Sequence, residues 1–173
     1  MVTKDSFVLI NSETLSGSQS SVSLTGMDST YNIFKLVMYN VSPVSDDVFF
    51  KVKLITSSGV TSDSSYTAVA KEVLASGLGT ITNAGETYWK WDIKNGTGTQ
   101  ETMNGIIHIF NANNSDEHTT VTIENSFINA VAMPGSTPGG GVHKETVAAT
   151  GINISYTSGN VATGTFKLYG LRK

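Results

Sequence analysis

The residues best suited by type and spacing to a binding chemistry form a short aromatic segment, Tyr88-Trp89-Lys90-Trp91. Side chains alternate along an extended strand, so Trp89 and Trp91 share one face and Tyr88 lies on the other. Aromatic rings on a β-sheet can stack on sugars, and they also bury area at subunit contacts or in a core. We therefore take Tyr88, Trp89 and Trp91 as the candidate carbohydrate- or subunit-contact residues, with a core position as the alternative.

The histidines and one acidic loop are the candidate metal ligands in this sequence. His108, His118 and His143 show none of the spacings that metal sites use. His108 lies among isoleucines, which indicates a core residue or one that lines a sheet face. The run Asp116-Glu117-His118 offers oxygen ligands to a hard cation, but it lacks the spaced acidic residues of a dedicated calcium loop. We expect neither a metal nor a cofactor.

Motifs for catalysis are lacking in the sequence. Gly-x-Ser-x-Gly, the nucleophile turn of many esterases, does not occur. The segment Gly96-Thr97-Gly98 has no helix pattern after it, unlike a phosphate-binding loop. The chain has no cysteine, which excludes disulfides and cysteine nucleophiles. We expect a protein that is not an enzyme, and a polysaccharide depolymerase is the enzyme class kept as an alternative.

Charged residues are scarce. Asp, Glu, Lys and Arg make up 14% of the chain, compared with about 25% in typical soluble proteins. The net charge is −3, and Lys and Arg form no cluster that would neutralise phosphates, so we do not expect nucleic-acid binding. This composition fits a soluble all-β domain, and it also fits a surface that packs against other subunits.

Neither a membrane span nor a secretion signal is indicated. No apolar run approaches the roughly 20 residues of a transmembrane helix. Residues 1–6 lack the hydrophobic region of a signal peptide. We therefore expect the protein to be made and folded in a cytoplasm.

The elements that must position these residues are predicted to be strands. Residues 31–39 and 105–111 are apolar on both faces, which predicts that both faces of their sheet are covered. Residues 48–56 alternate strictly, as half-buried strands do, and residues 88–93 form an aromatic strand. The last segment, 165–171, is apolar almost to its end, so we expect it to dock inside a sheet.

Two segments depart from the strand pattern. Residues 64–76 carry apolar side chains at helical spacing, with Ser64 as an N-cap and Gly77 as a stop, which predicts one short helix, or else an irregular loop. Residues 133–141 are rich in Gly and Pro and predict a flexible, exposed loop. We predict a single domain over residues 1–173. Its fold class is all-β: an antiparallel β-sandwich or jelly-roll-like domain with at most one short helix at about 64–76.

The end of the chain carries a family resemblance. The run from Ser158-Gly159-Asn160-Val161-Ala162 to Leu168-Tyr169-Gly170-Leu171 resembles the C-terminal signature of many tailed-bacteriophage virion proteins. The strand Gly105-Ile106-Ile107-His108-Ile109-Phe110-Asn111 and the run Phe7-Val8-Leu9-Ile10 are similar to the middle and the start of the same proteins.

The resemblance implies a structural component of a phage particle with a β-sandwich or jelly-roll fold. Such proteins decorate or cement capsids, build small fibres or sit on tails, often as homotrimers. The expected partners are other virion proteins, namely the major capsid or tail protein, and the expected location is the virion. The alternative is a tail-fibre or head-fibre module that binds a receptor or a host surface glycan. The family supplies no catalytic residues to transfer.

Overall fold

The computed structural model describes residues 6–172, and these residues form fourteen strands and no helix. In chain order the strands are β1 (Phe7–Thr14), β2 (Val22–Thr25), β3 (Tyr31–Pro43), β4 (Val48–Thr56), β5 (Gly59–Val60), β6 (Tyr66–Leu74), β7 (Gly77–Glu86), β8 (Lys94–Asn95), β9 (Met103–Phe110), β10 (Thr119–Ile128), β11 (Pro134–Ser136), β12 (Gly139–His143), β13 (Ala149–Tyr156) and β14 (Val161–Arg172). The predicted all-β fold is confirmed. Nothing in residues 6–172 is a helix long and apolar enough to cross a membrane.

The larger sheet runs β1-β14-β3-β9-β10-β6-β7, and β11 and β12 fill the space between β10 and β6. All of its pairings are antiparallel. The C-terminal strand β14 lies between β1 and β3 and pairs with both along most of its length. This confirms the prediction that the last segment docks inside a sheet.

The smaller sheet runs β2-β13-β4, and the short strands β5 and β8 pair with opposite ends of β4. Between them Trp89 forms an isolated bridge to Val52. The continuous strand predicted at residues 88–93 is therefore wrong. Asp92 has a φ of 53°, and this left-handed backbone interrupts the pairing before it resumes at β8.

The two sheets enclose one buried core built from alternate residues of their strands. The core side chains of the larger sheet include Phe34, Leu36, Ile107, Ile109, Phe166 and Leu168, and those of the smaller sheet include Phe50, Val52, Leu54, Ile152 and Ile154. Tyr66 of β6 reaches across this core, and its hydroxyl oxygen accepts a 2.8 Å hydrogen bond from the Leu54 amide. The architecture is thus a β-sandwich.

The helix predicted at residues 64–76 is wrong, because this segment is mostly strand β6. Tyr66, Ala68 and Ala70 point into the core, whereas Val69 is half exposed on the other face. This period of two is the strand pattern, and the apolar residues at helical spacing are split between the two faces. β-Branched Thr and Val residues along the segment also favour a strand over a helix.

The flexible loop predicted at residues 133–141 is replaced by strands β11 and β12. The glycines are the reason, because this strand runs closer to its neighbours than a side chain permits. A Cβ on Gly141 would lie 2.6 Å from the Trp89 ring, and one on Gly139 would lie 2.4 Å from the Val69 carbonyl oxygen. Glycine here permits a close backbone approach.

Candidate functional site

Both predicted tryptophans lie in the core. The side chains of Trp89 and Trp91 are 0% and 1% exposed, and their rings stack with centroids 6.1 Å apart. Trp89 also packs edge-on against Tyr66, with centroids 5.0 Å apart. The Trp91 indole nitrogen donates a 3.0 Å hydrogen bond to the Gly140 carbonyl oxygen. The interpretation of these two residues as surface contacts for sugars or subunits is therefore wrong, and the alternative of a core position holds.

Tyr88 lies on the opposite side of its segment and is half-buried. The ammonium group of Lys51 lies 5.8 Å from the centroid of its ring. Burial raises the pKa of the Tyr88 hydroxyl, and the nearby positive charge of Lys90 opposes that rise. Tyr88 is thus the one member of the predicted trio that a partner can still reach.

The structure separates the three histidines. His108 lies on the outer face of β9, so it lines a sheet face, and His118 is exposed in the loop before β10. His143 is fully buried, and its Nε2 lies 2.9 Å from Oδ1 of Asp63. In the described part of the chain, no group of three or more His, Cys, Asp or Glu side chains is arranged to hold a metal ion.

The contact between Asp63 and His143 joins the loop before β6 to strand β12. Asp63 Oδ1 also accepts a 3.1 Å hydrogen bond from the Ser65 amide. Burial alone raises the pKa of the Asp63 carboxyl, but its hydrogen bonds and the charge of His143 outweigh that effect, so the pKa lies below its ordinary value. The imidazole ring in turn packs against Tyr66, with centroids 4.4 Å apart.

An apolar surface lies on the outer face of the larger sheet, away from the core. Its side chains form rows across β1, β14, β3 and β9, which the strand register defines. One row is Phe7, Leu171, Ile33 and Phe110, the next is Leu9, Tyr169, Lys35 and His108, and the third is Lys167, Val37 and Ile106. We call these three rows the outer patch. Among residues 6–172 no strand lies over it.

The charges of the outer patch are all positive. The ammonium group of Lys35 lies 4.3 Å from the Phe7 ring centroid and 5.6 Å from that of Tyr169. The ammonium group of Lys167 lies 5.9 Å from the ring centroid of Tyr39, at the edge of the patch. Both lysines thus place their ammonium groups within cation–π distance of aromatic rings. The rows contain no carboxylate, and the nearest one along the register is Glu124 of β10, opposite Ile106.

Part of the outer patch was visible in the sequence. Residues 31–39 and 105–111 are apolar on both faces, and the smaller sheet covers only their inner face. The contributions of Phe7, Leu9 and Tyr169 were not identified, because strand partners far apart in sequence cannot be read from spacing. The comparisons with known proteins add no further assignment: no family model, no curated protein and no solved structure matches this chain.

Proposed function

We propose that this protein is a non-enzymatic structural subunit of a bacteriophage virion, most simply a capsid decoration or cement protein. The observation that carries the proposal is the outer patch, an apolar sheet face over which no strand of residues 6–172 lies. Monomeric proteins rarely expose large contiguous apolar surfaces, and those that do use them as contacts. The low charge of the chain and the resemblance of its C-terminal segment to tailed-phage virion proteins support the same role.

The outer patch packs against a second copy of the chain. If two patches met across a two-fold axis, the lysines Lys35 and Lys167 of both copies would share one contact that contains no carboxylate from the rows, and like charges in contact oppose association. A contact between the patch and a different surface of the next copy avoids this repulsion. Heterologous contacts form a closed ring when the rotation between neighbouring copies closes, and a ring of three copies is the trimer that is common among these virion proteins.

The mechanism is burial of surface. A stable contact buries roughly 800 Å² on each partner, and the apolar rows supply the desolvated centre. The ammonium group of Lys35 lies near the rings of Phe7 and Tyr169, where its charge can pair with a carboxylate of the neighbour while its aliphatic stem adds apolar area to the contact. The remaining surface of the oligomer then meets the major capsid or tail protein.

The oligomeric state tests the contact. Val37 is a half-buried member of the third row, and Val69 is a half-exposed valine on the outer face of the same sheet but outside the patch. We expect Val37→Lys to convert the oligomer to a monomer in sedimentation velocity, and Val69→Lys to leave it intact. A wild-type chain that stays monomeric over the whole concentration range, or equal loss in both variants, would contradict the proposal.

Location in the particle is tested by quantitative mass spectrometry of purified phage particles. Hundreds of copies per particle would support a capsid surface role, and about a dozen would place the protein on the tail or at a vertex. Absence from the particle would reject the virion role. The second candidate function, a receptor- or glycan-binding fibre module, no longer rests on the buried tryptophans. A cleft that borders the outer patch and shares Ile33 and Phe110 with it supports this function instead.

A further inference from the structure

One end of the sandwich contains a cleft of about 540 Å³, a volume within the range of about 300–1,000 Å³ that small-molecule sites occupy. It lies between the turn that precedes β3 and the loop that follows β9. Its walls are lined mainly by Ser29, Tyr31, Asn32, Phe110, Asn111 and Asn114. These are amides, a hydroxyl group and aromatic rings, and the lining contains no charged side chain.

Hydrogen bonds hold the two walls of the cleft together. The amide nitrogen of Asn113 donates to the Met27 carbonyl oxygen over 3.4 Å and to the Ala149 carbonyl oxygen over 3.0 Å. The backbone amide of Asn114 donates to the Asn111 carbonyl oxygen over 3.1 Å. The loop after β9 is thus tied to the turn before β3 and to β13, and a site fixed in this way loses little entropy when it binds.

Several polar groups of the lining remain available to a ligand. Within residues 6–172 the side-chain amides of Asn32 and Asn111 make no hydrogen bond to protein. Asn114 uses only its carbonyl oxygen, which accepts a 2.9 Å bond from the Asp116 amide. The free side-chain amides of Asn32 and Asn111 each offer two N–H donors and one carbonyl oxygen acceptor. Asn111 also adopts a φ of 59°, in the left-handed region that asparagine enters more readily than most residues other than glycine.

We propose that this cleft binds a neutral saccharide. A sugar hydroxyl donates one hydrogen bond and accepts others. It can therefore donate to the carbonyl oxygen of an asparagine side chain and accept from the NH2 group of the same or another asparagine. The apolar face of a sugar ring packs on an aromatic ring, and Tyr31 and Phe110 provide two such rings at the cleft wall. Because the lining carries no charge, an anionic sugar or a phosphate finds no counter-ion there.

The inference does not depend on the virion role. In a phage particle, however, such a cleft would hold the particle against neutral polysaccharide on a host surface. A peptide is the other ligand with matching amide chemistry. The concave shape and the aromatic wall favour a compact ring over an extended chain.

The test is to titrate the full chain with small ligands and to record the chemical shifts of its amide groups by two-dimensional NMR at each step. The probes are glucose, galactose, mannose and N-acetylglucosamine, with glucuronate as the matched anionic sugar and tetra-alanine as the peptide. We expect at least one neutral sugar to cause saturable shifts in residues 29–33 and 110–114. Glucuronate is expected to bind more weakly than glucose, because no cation lines the cleft.

Two asparagine-to-glycine variants make the test specific. Asn111 and Asn40 are both exposed and both have left-handed backbones, with φ of 59° and 55°, so glycine fits either position without strain. Asn111→Gly removes an amide from the cleft, and we expect it to weaken sugar binding by about tenfold or more. Asn40→Gly removes an amide at the opposite end of β3 and should leave binding unchanged.

Three results would overturn the proposal. They are the absence of a saturable shift with any neutral sugar, shifts that Asn111→Gly leaves unchanged, and binding of tetra-alanine alone.

Discussion

The indole nitrogen of Trp91 and the carbonyl oxygen of Gly140 lie 3.0 Å apart and form a hydrogen bond between the aromatic segment and β12. Because Trp91 is buried, its loss leaves that carbonyl oxygen without this donor. We expect Trp91→Phe to lower the free energy of unfolding by about 1–3 kcal/mol, measured by urea denaturation with circular dichroism. Tyr88→Phe is the control, and it should change stability by much less. An equal effect in the two variants would show that the hydrogen bond is not the cause.

Gly141 is a second position where β12 and the tryptophans are closely packed. A Cβ there would lie 2.6 Å from the Trp89 ring and 2.8 Å from the Thr67 carbonyl oxygen. We expect Gly141→Ala to cost about 1–3 kcal/mol, as overpacking of a core does. Gly17→Ala is the matched control, since a Cβ on Gly17 meets no atom within 4 Å. Calorimetric melting of both variants tests the prediction, which fails if Gly141→Ala melts no lower than Gly17→Ala.

The position of β14 between β1 and β3 leads to a prediction for truncation. A chain that ends at Ser158 lacks the strand between β1 and β3. Strand β1 then has no partner in the larger sheet, and β3 loses the partner on one of its edges. We expect this chain to show no cooperative thermal transition. A chain that ends at Leu171 keeps nearly all of the pairing and should melt cooperatively. A folded chain ending at Ser158 would mean that β1 and β3 can pair directly.

The pair of Asp63 and His143 predicts a pH dependence. The pKa of the Asp63 carboxyl is lowered from its ordinary value of 3.8. Its ionised form therefore stabilises the fold above that value, and this contribution is lost as the pH falls through the folded-state pKa. We expect Asp63→Asn to be less stable than the wild type at neutral pH and to lose less stability on acidification.

The measurement is urea denaturation at neutral pH and at several values below 4. Asp116→Asn is the control, since among residues 6–172 the Asp116 carboxylate forms no ion pair. It should follow the wild-type pH dependence. If Asp63→Asn follows it as well, the pair does not contribute to acid sensitivity.

The sequence predicted the elements whose signal is local. Residues 48–56 alternate, and they form a strand, because a period of two depends only on neighbouring side chains. The apolar end of the chain predicted a docked strand for the same reason. The helix at 64–76 failed because Tyr66, Val69 and Val73 match helical spacing, although a strand places Tyr66 and Val69 on opposite faces.

The candidate site was harder to predict because it depends on distant contacts. Trp89 and Trp91 share one face, as expected, but spacing does not say whether that face meets solvent or a core. The space they fill is created by the glycines of β12, which follow them by about fifty residues. Likewise, Asn32 and Asn111 line one cleft only because β3 and β9 are neighbours in the sheet.

The strand order of the larger sheet also fixes when the molecule can fold during synthesis. β1 is made before the other described strands, and its only strand partner among the described residues, β14, is made after all of them. Until then β1 and β3 have exposed edges, and the core between the sheets lacks Phe166 and Leu168. Long-range pairing of this kind is slow and leaves unfolded chains open to aggregation. We therefore expect nascent chains stalled before Val161 to be protease-sensitive, because the larger sheet is incomplete until β14 has been made.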